Sequence, residues 1–146
     1  MFNIKDNDII DGIQNISLKG RLEEIKSGKL KTIAGNNRLI VDGGHNISAS
    51  LSIANWIKNQ NQEVNLIVGM MKDKEHIEFI KSFRNIVNSI TLIDIPNQDG
   101  AISKEDLESK LNDLNLNIKR SQNIESAIKS LSKNENTITV CIGSLY

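Results

Sequence analysis

The chain has 146 residues, one domain's worth, and its 38% hydrophobic and 25% charged residues can fill a core and argue against wholesale disorder. Its 18 basic residues balance 18 acidic ones, so no net field draws it to nucleic acid or to an anionic membrane. No apolar run is long enough to span a bilayer, the first residues lack the pattern of a secretion signal, and a lone Cys141 can form neither an intramolecular disulfide nor a zinc cluster. A cytoplasmic protein without a membrane or nucleic-acid partner is the expectation.

Residues 1–16 are rich in Asp, Asn and Ile but carry no apolar stripe, and read as a linker or as the tail of an element from another domain. Residues 22–25 read as a short edge strand. Residues 38–41 form an apolar run that ends in Asp42-Gly43-Gly44, a buried strand and its turn. From Asn46 to about residue 60, Ile47, Leu51, Ala54 and Ile57 recur at helical spacing, with Ile53 and Trp56 broadening the stripe. Residues 64–68 make the next strand, closed by Gly69, and a helix over about 74–87 places Ile77, Ile80, Phe83 and Val87 on one face. A strand over 89–95 ends at Pro96, the only proline.

Ser103 reads as a helix cap, with Leu107, Leu111 and Leu114 along one face. A weak strand at 117–120 precedes a helix capped by Asn123, with Ile124, Ala127, Ile128 and Leu131 inside. The last strand covers 137–142 and breaks at Gly143. Alternating strands and helices predict an α/β fold, Rossmann-like, with a mostly parallel sheet flanked by helices. Ligands of such sheets bind beyond the carboxyl ends of the strands, which nominates loops 42–46, 69–74 and 143–146.

Asp42 at a strand end offers a carboxylate to ribose hydroxyls, while Gly43 and Gly44 permit a tight turn and close approach to the backbone. His45 and Asn46 then open a helix whose free N–H groups favour an anion. A plain strand–turn–helix with a capping Asn fits the same residues. Arg21, after Gly20, could hold a phosphate or ribose, or be an ordinary surface arginine. The charged stretch Lys72-Asp73-Lys74-Glu75 fits a solvated first helical turn. Ser144 offers a hydroxyl at a strand end or simply completes a turn. His76 reads as a surface residue and Cys141 as a small core residue. No metal-ligand spacing, nucleophile elbow or Ser/His/Asp set occurs, and no G-x-x-x-x-G-K-S/T phosphate loop.

Gly20-Arg21-Leu22-Glu23, Leu39-Ile40-Val41-Asp42-Gly43-Gly44-His45-Asn46, Val68-Gly69-Met70-Met71-Lys72-Asp73-Lys74 and Gly143-Ser144-Leu145-Tyr146 follow one another in that order. The series resembles the C-terminal domain of folylpolyglutamate synthase/dihydrofolate synthase, in the Mur ligase superfamily, over nearly the whole chain. The resemblance implies residues 19–146 as a Mur ligase C-terminal-like domain and 1–18 as a linker or the remnant of an N-terminal ATPase domain. Lys19 and Ile47 stand where that family usually has proline, and 27–37 is longer than in many members.

Such enzymes use ATP to phosphorylate a pterin carboxylate, and the amino group of L-glutamate attacks the acyl phosphate. By resemblance Arg21, Asp42 and His45 meet ATP, Ser144 and His45 lie by the glutamate, and Asn46 and Lys74 line the site, with His45 the one catalytic candidate. The phosphate loop, the Mg2+ ligands and most of the dihydropteroate or folate site fall to the N-terminal domain, so the chain alone is expected to be inactive. The alternatives are a free-standing nucleotide- or anion-binding module and a Mur-type ligase domain for cell-wall precursors.

Overall fold

The computed structural model describes residues 19–144. The expected remnant at 1–18 lies outside the described residues, as do Leu145 and Tyr146. Strand β1 (Glu23–Glu24) leads to helix α1 (Lys29–Ala34), strand β2 (Arg38–Asp42) and helix α2 (Ile47–Lys58). Strand β3 (Val64–Gly69), helix α3 (His76–Lys81) and strand β4 (Ser89–Leu92) follow. Helix α4 (Lys104–Leu111) runs into a 3-10 turn (Asn112–Leu114), before strand β5 (Ile118–Arg120), helix α5 (Ile124–Leu131) and strand β6 (Ile138–Gly143).

The six strands lie in the order β1-β2-β6-β3-β4-β5, parallel except for the antiparallel edge strand β1. The last strand therefore sits between β2 and β3, and its register sets Asp42 beside Ile142 and Gly69 beside Gly143. Buried on both faces, β3 and β6 read as continuous apolar runs with few polar interruptions. On one face Leu66, Val68, Leu92 and Val140 pack with Ile53 and Ile57 of α2, Phe79 of α3 and Leu107 of α4. On the other, Leu39, Ile67 and Cys141 pack against Ala34 of α1 and Ala127, Ile128 and Leu131 of α5.

Three helices begin at side-chain caps that satisfy free N–H groups: Asn46 accepts from Ala49 N at 2.9 Å, Ser103 from Asp106 N at 3.1 Å, and Asn123 from Ser126 N at 2.9 Å. Two apolar stripes differ from expectation. In α2 the buried residues are Ser50, Ile53, Ala54 and Ile57, while Leu51 is 58% exposed. Ser50 takes the core position because its hydroxyl bonds Ile47 O at 2.8 Å and Ser82 Oγ at 2.9 Å, bringing α2 close to the end of α3. The expected helix over 74–87 is only the six residues of α3, with Phe79 and Ile80 inside and Ile77 exposed. The chain turns out of the helix before Asn85, whose φ of 64° is a left-handed conformation that asparagine tolerates. Strand β4 likewise stops at Leu92, short of the expected residue 95. Helix α1, unanticipated in the sequence, lies between Gly28 (φ 94°) and Gly35 (φ 61°), both in conformations that suit glycine.

Candidate functional site

At the carboxyl end of β2 the Asp42 carboxylate is buried and accepts two backbone hydrogen bonds, from Leu22 N at 2.8 Å and from Gly44 N at 2.7 Å. Gly43 N donates to Gly20 O at 2.9 Å, so segment 20–22 is laced onto turn 42–44. Leu22 holds a left-handed φ of 43° while it makes its bond to Asp42 and packs against the core. Gly44 is fixed by packing: a Cβ there would stand 2.7 Å from Ala49 Cβ and 2.8 Å from Asp42 Oδ1.

Arg21 lies over this turn with a largely exposed side chain, and its Nη1 is 3.9 Å from Asp42 Oδ1. A contact that long in solvent leaves the guanidinium free to take an anionic partner. His45 is half-buried and its Nδ1 is 3.0 Å from Gly43 O. Asn46 caps α2, which commits its Oδ1 to Ala49 N. Arg21, Asp42, His45 and Asn46 thus share one hollow of about 360 Å³, closed on the α2 side by Ser48 and Ser52.

Ser144 and Lys74 fall outside that hollow. Gly143 N donates to Gly44 O at 3.1 Å and Ser144 N to Gly69 O at 3.0 Å, tying the end of β6 to both neighbouring turns. Among the described residues the buried Ser144 Oγ has no hydrogen-bond partner. It borders a second hollow, about 290 Å³, with an apolar floor of Ile67 and Cys141 and a rim that includes Asp94 and Asn123. Burial pushes the Cys141 thiol up to about 12, which keeps it protonated and inert. Lys74 is ion-paired with Asp73 at 2.9 Å and lines a shallow depression with His76 and Lys110. The hydrogen bond from Lys74 holds the Asp73 carboxyl below its usual range.

His76 is not a surface residue: it is buried, and its Nε2 lies 2.9 Å from Met71 O, bracing the turn that carries Lys74. That turn is also held by Lys72 N donating to Gly100 O at 2.8 Å. Sequence reading overlooked the walls of the second hollow, residues 93–96 and 122–124; the rule that ligands sit beyond strand ends applies to β4 and β5 as well and would have found them. Among the described residues no helix is long and apolar enough to cross a membrane.

A mostly parallel sheet flanked by helices, with glycine turns gathered at the carboxyl ends of its strands, defines a Rossmann-like domain. The family described as Mur ligase, glutamate ligase domain, matches residues 20–145, and the chain belongs to it. No curated protein matches the sequence closely enough to count.

Among solved structures, bifunctional folylpolyglutamate synthase/dihydrofolate synthase from Yersinia pestis, complexed with AMPPNP and a manganese ion, superposes with a TM-score of 0.76 at 20% identity, over 98% of this chain and 32% of that one. E. coli FolC in complex with ADP gives 0.72 at 21% identity, over 98% and 32%. Folylpolyglutamate synthase from Thermotoga maritima gives 0.70 at 16%, over 96% and 31%. The shared property is the fold, and the chain spans about a third of the length of these proteins.

Proposed function

We propose that this chain is the C-terminal domain of an ATP-dependent carboxylate–amine ligase that joins L-glutamate to dihydropteroate or a folate through an acyl phosphate. The observation that carries the reading is the meeting of segment 20–22 with turns 42–46 and 143–144 at the ends of neighbouring parallel strands, in a chain of the Mur ligase family. Arg21, exposed and loosely paired, suits the ATP phosphates. Asp42 keeps a lone pair on each oxygen after its two backbone bonds, enough to accept a ribose hydroxyl at the floor of the hollow.

His45 and Asn46 stand in the same hollow, Lys74 lines a separate depression, and Ser144 brings an unsatisfied hydroxyl to the glutamate side. Mg2+ is assigned, as the family resemblance implies, to the ATP phosphates and to an N-terminal domain. Positioning and charge stabilisation at the γ-phosphate also fall to that domain, because the chain has no phosphate loop; alone it is inactive.

The test fuses the chain to the N-terminal domain of a folylpolyglutamate synthase and follows ATP-dependent incorporation of labelled L-glutamate. Product from dihydropteroate with the fusion, and none with the chain alone, is the expected result. Turnover by the chain alone would overturn its dependence on a second domain. Preference for a muramoyl nucleotide acceptor would move it to the cell-wall branch of the family.

A further inference from the structure

The chain has two histidines, and both are tied to backbone carbonyls, but through opposite ring nitrogens. His45 Nδ1 lies 3.0 Å from Gly43 O, and His76 Nε2 lies 2.9 Å from Met71 O. A carbonyl oxygen only accepts, so the nitrogen facing it must carry the proton. A neutral imidazole has a single N–H. Neutral His45 is therefore protonated at Nδ1 and keeps its lone pair on Nε2, whereas neutral His76 is protonated at Nε2.

Nε2 of His45 has no hydrogen-bond partner among the described residues, and the ring borders the hollow that also holds Arg21 and Asp42. We propose that His45 Nε2 is the proton acceptor for the amine nucleophile of the ligation, with the Gly43 carbonyl as the device that keeps this lone pair available. The role rests on the ligase reading above.

The step balances. The incoming α-ammonium gives one proton to Nε2, and the freed nitrogen lone pair forms a C–N bond to the carbonyl carbon of the acyl phosphate. The C–O bond to phosphate breaks, and phosphate leaves with that electron pair and the second nitrogen proton. The Nδ1–H bond to Gly43 is present before and after the transfer, so the ring accepts its proton without turning. Asp42 does not pair with Nδ1, because its two oxygens face Leu22 N and Gly44 N.

The first arm of the test is a long-range 15N–1H spectrum of the 15N-histidine-labelled 146-residue chain. The expected result is Nδ1–H for one ring, assigned to His45 by its loss in His45→Asn, and Nε2–H for the other. An Nε2–H tautomer at His45 overturns the proposal. The second arm uses His45→Asn in the fused enzyme, because the Asn amide keeps the donor toward Gly43 O. Hydroxylamine, unprotonated at neutral pH, replaces glutamate as an amine that needs no base.

With glutamate, kcat should fall by about 10²–10⁴-fold, while hydroxamate formation falls less than about tenfold. Equal losses with both amines, or full activity with glutamate, overturn the role. If the unsubstituted fusion makes neither product, the ligase reading itself fails and takes the role with it, whereas the tautomer is judged by the spectrum alone.

Discussion

Asp42 works on its own backbone as well as toward a ligand, because one buried carboxylate receives both Leu22 N and Gly44 N. Hydrogen bonds to a charged group are worth about 1.5–3 kcal/mol each, so losing both in Asp42→Ala should lower unfolding stability by about 3–6 kcal/mol in a urea titration. A loss below about 0.5 kcal/mol would show that the lacing of 20–22 onto 42–44 is not structural. Gly143 is under a harder constraint, with φ at 114° and a hypothetical Cβ only 2.0 Å from Gly69 O. Gly143→Ala should therefore cost about 3 kcal/mol or leave the chain unfolded, read as a lost cooperative urea transition. The strand end and glycine turn at Asp42 were legible in the sequence. The structural duty of Asp42 was not, because the partner N–H at Leu22 lies 20 residues away and backbone donors leave no trace in residue type.

Three of the five helix starts were legible because a capping side chain declares itself: Asn46, Ser103 and Asn123 all cap where the sequence places them, whereas α1 and α3 have no side-chain cap. Ser103→Ala should lower stability by about 1 kcal/mol, and an unchanged urea midpoint would contradict the cap. Which face a helix buries was less legible. Leu51 and Ile53 both fit a broad stripe, and the face that packs is the one carrying Ile53, Ile57 and the Ser50–Ser82 contact. Leu51→Ser should stay within about 0.5 kcal/mol, whereas Ile53→Ala should cost about 2–5 kcal/mol, and reversal of that order would refute the assigned face.

At the start of α4, Lys104 is paired with Asp94 and its backbone N donates to the same carboxylate at 2.9 Å, which holds the Asp94 carboxyl below its usual range. The stability it adds is complete above its ordinary value of 3.8 and disappears as the pH falls through the lower folded value. With Asp94 44% exposed, the effect is at most about 0.5 kcal/mol, so Asp94→Asn should slightly flatten the acid limb of stability against pH. An identical limb in the variant would contradict the assignment.

The α/β class and six strand positions followed from alternating periodicities, yet the order of the strands did not. Periodicity says which residues face a core and nothing about which sequence-distant strand lies alongside. The insertion of β6 between β2 and β3 is what carries Gly143 and Ser144 to the turns at Gly44 and Gly69, so the site depends on the last strand described. The same order separates the candidate residues: Arg21, Asp42, His45 and Asn46 share one hollow, whereas Ser144 and Lys74 border others.

The most direct measurement is an amide spectrum of the fused enzyme with only this domain 15N-labelled, recorded as AMPPNP is added. Shifts should concentrate at 20–22, 42–46 and 72–74, with smaller changes at 143–144. Shifts centred instead on the opposite end of the sheet, at 60–65 and 85–88, or none at saturating nucleotide, would contradict the placement of the site.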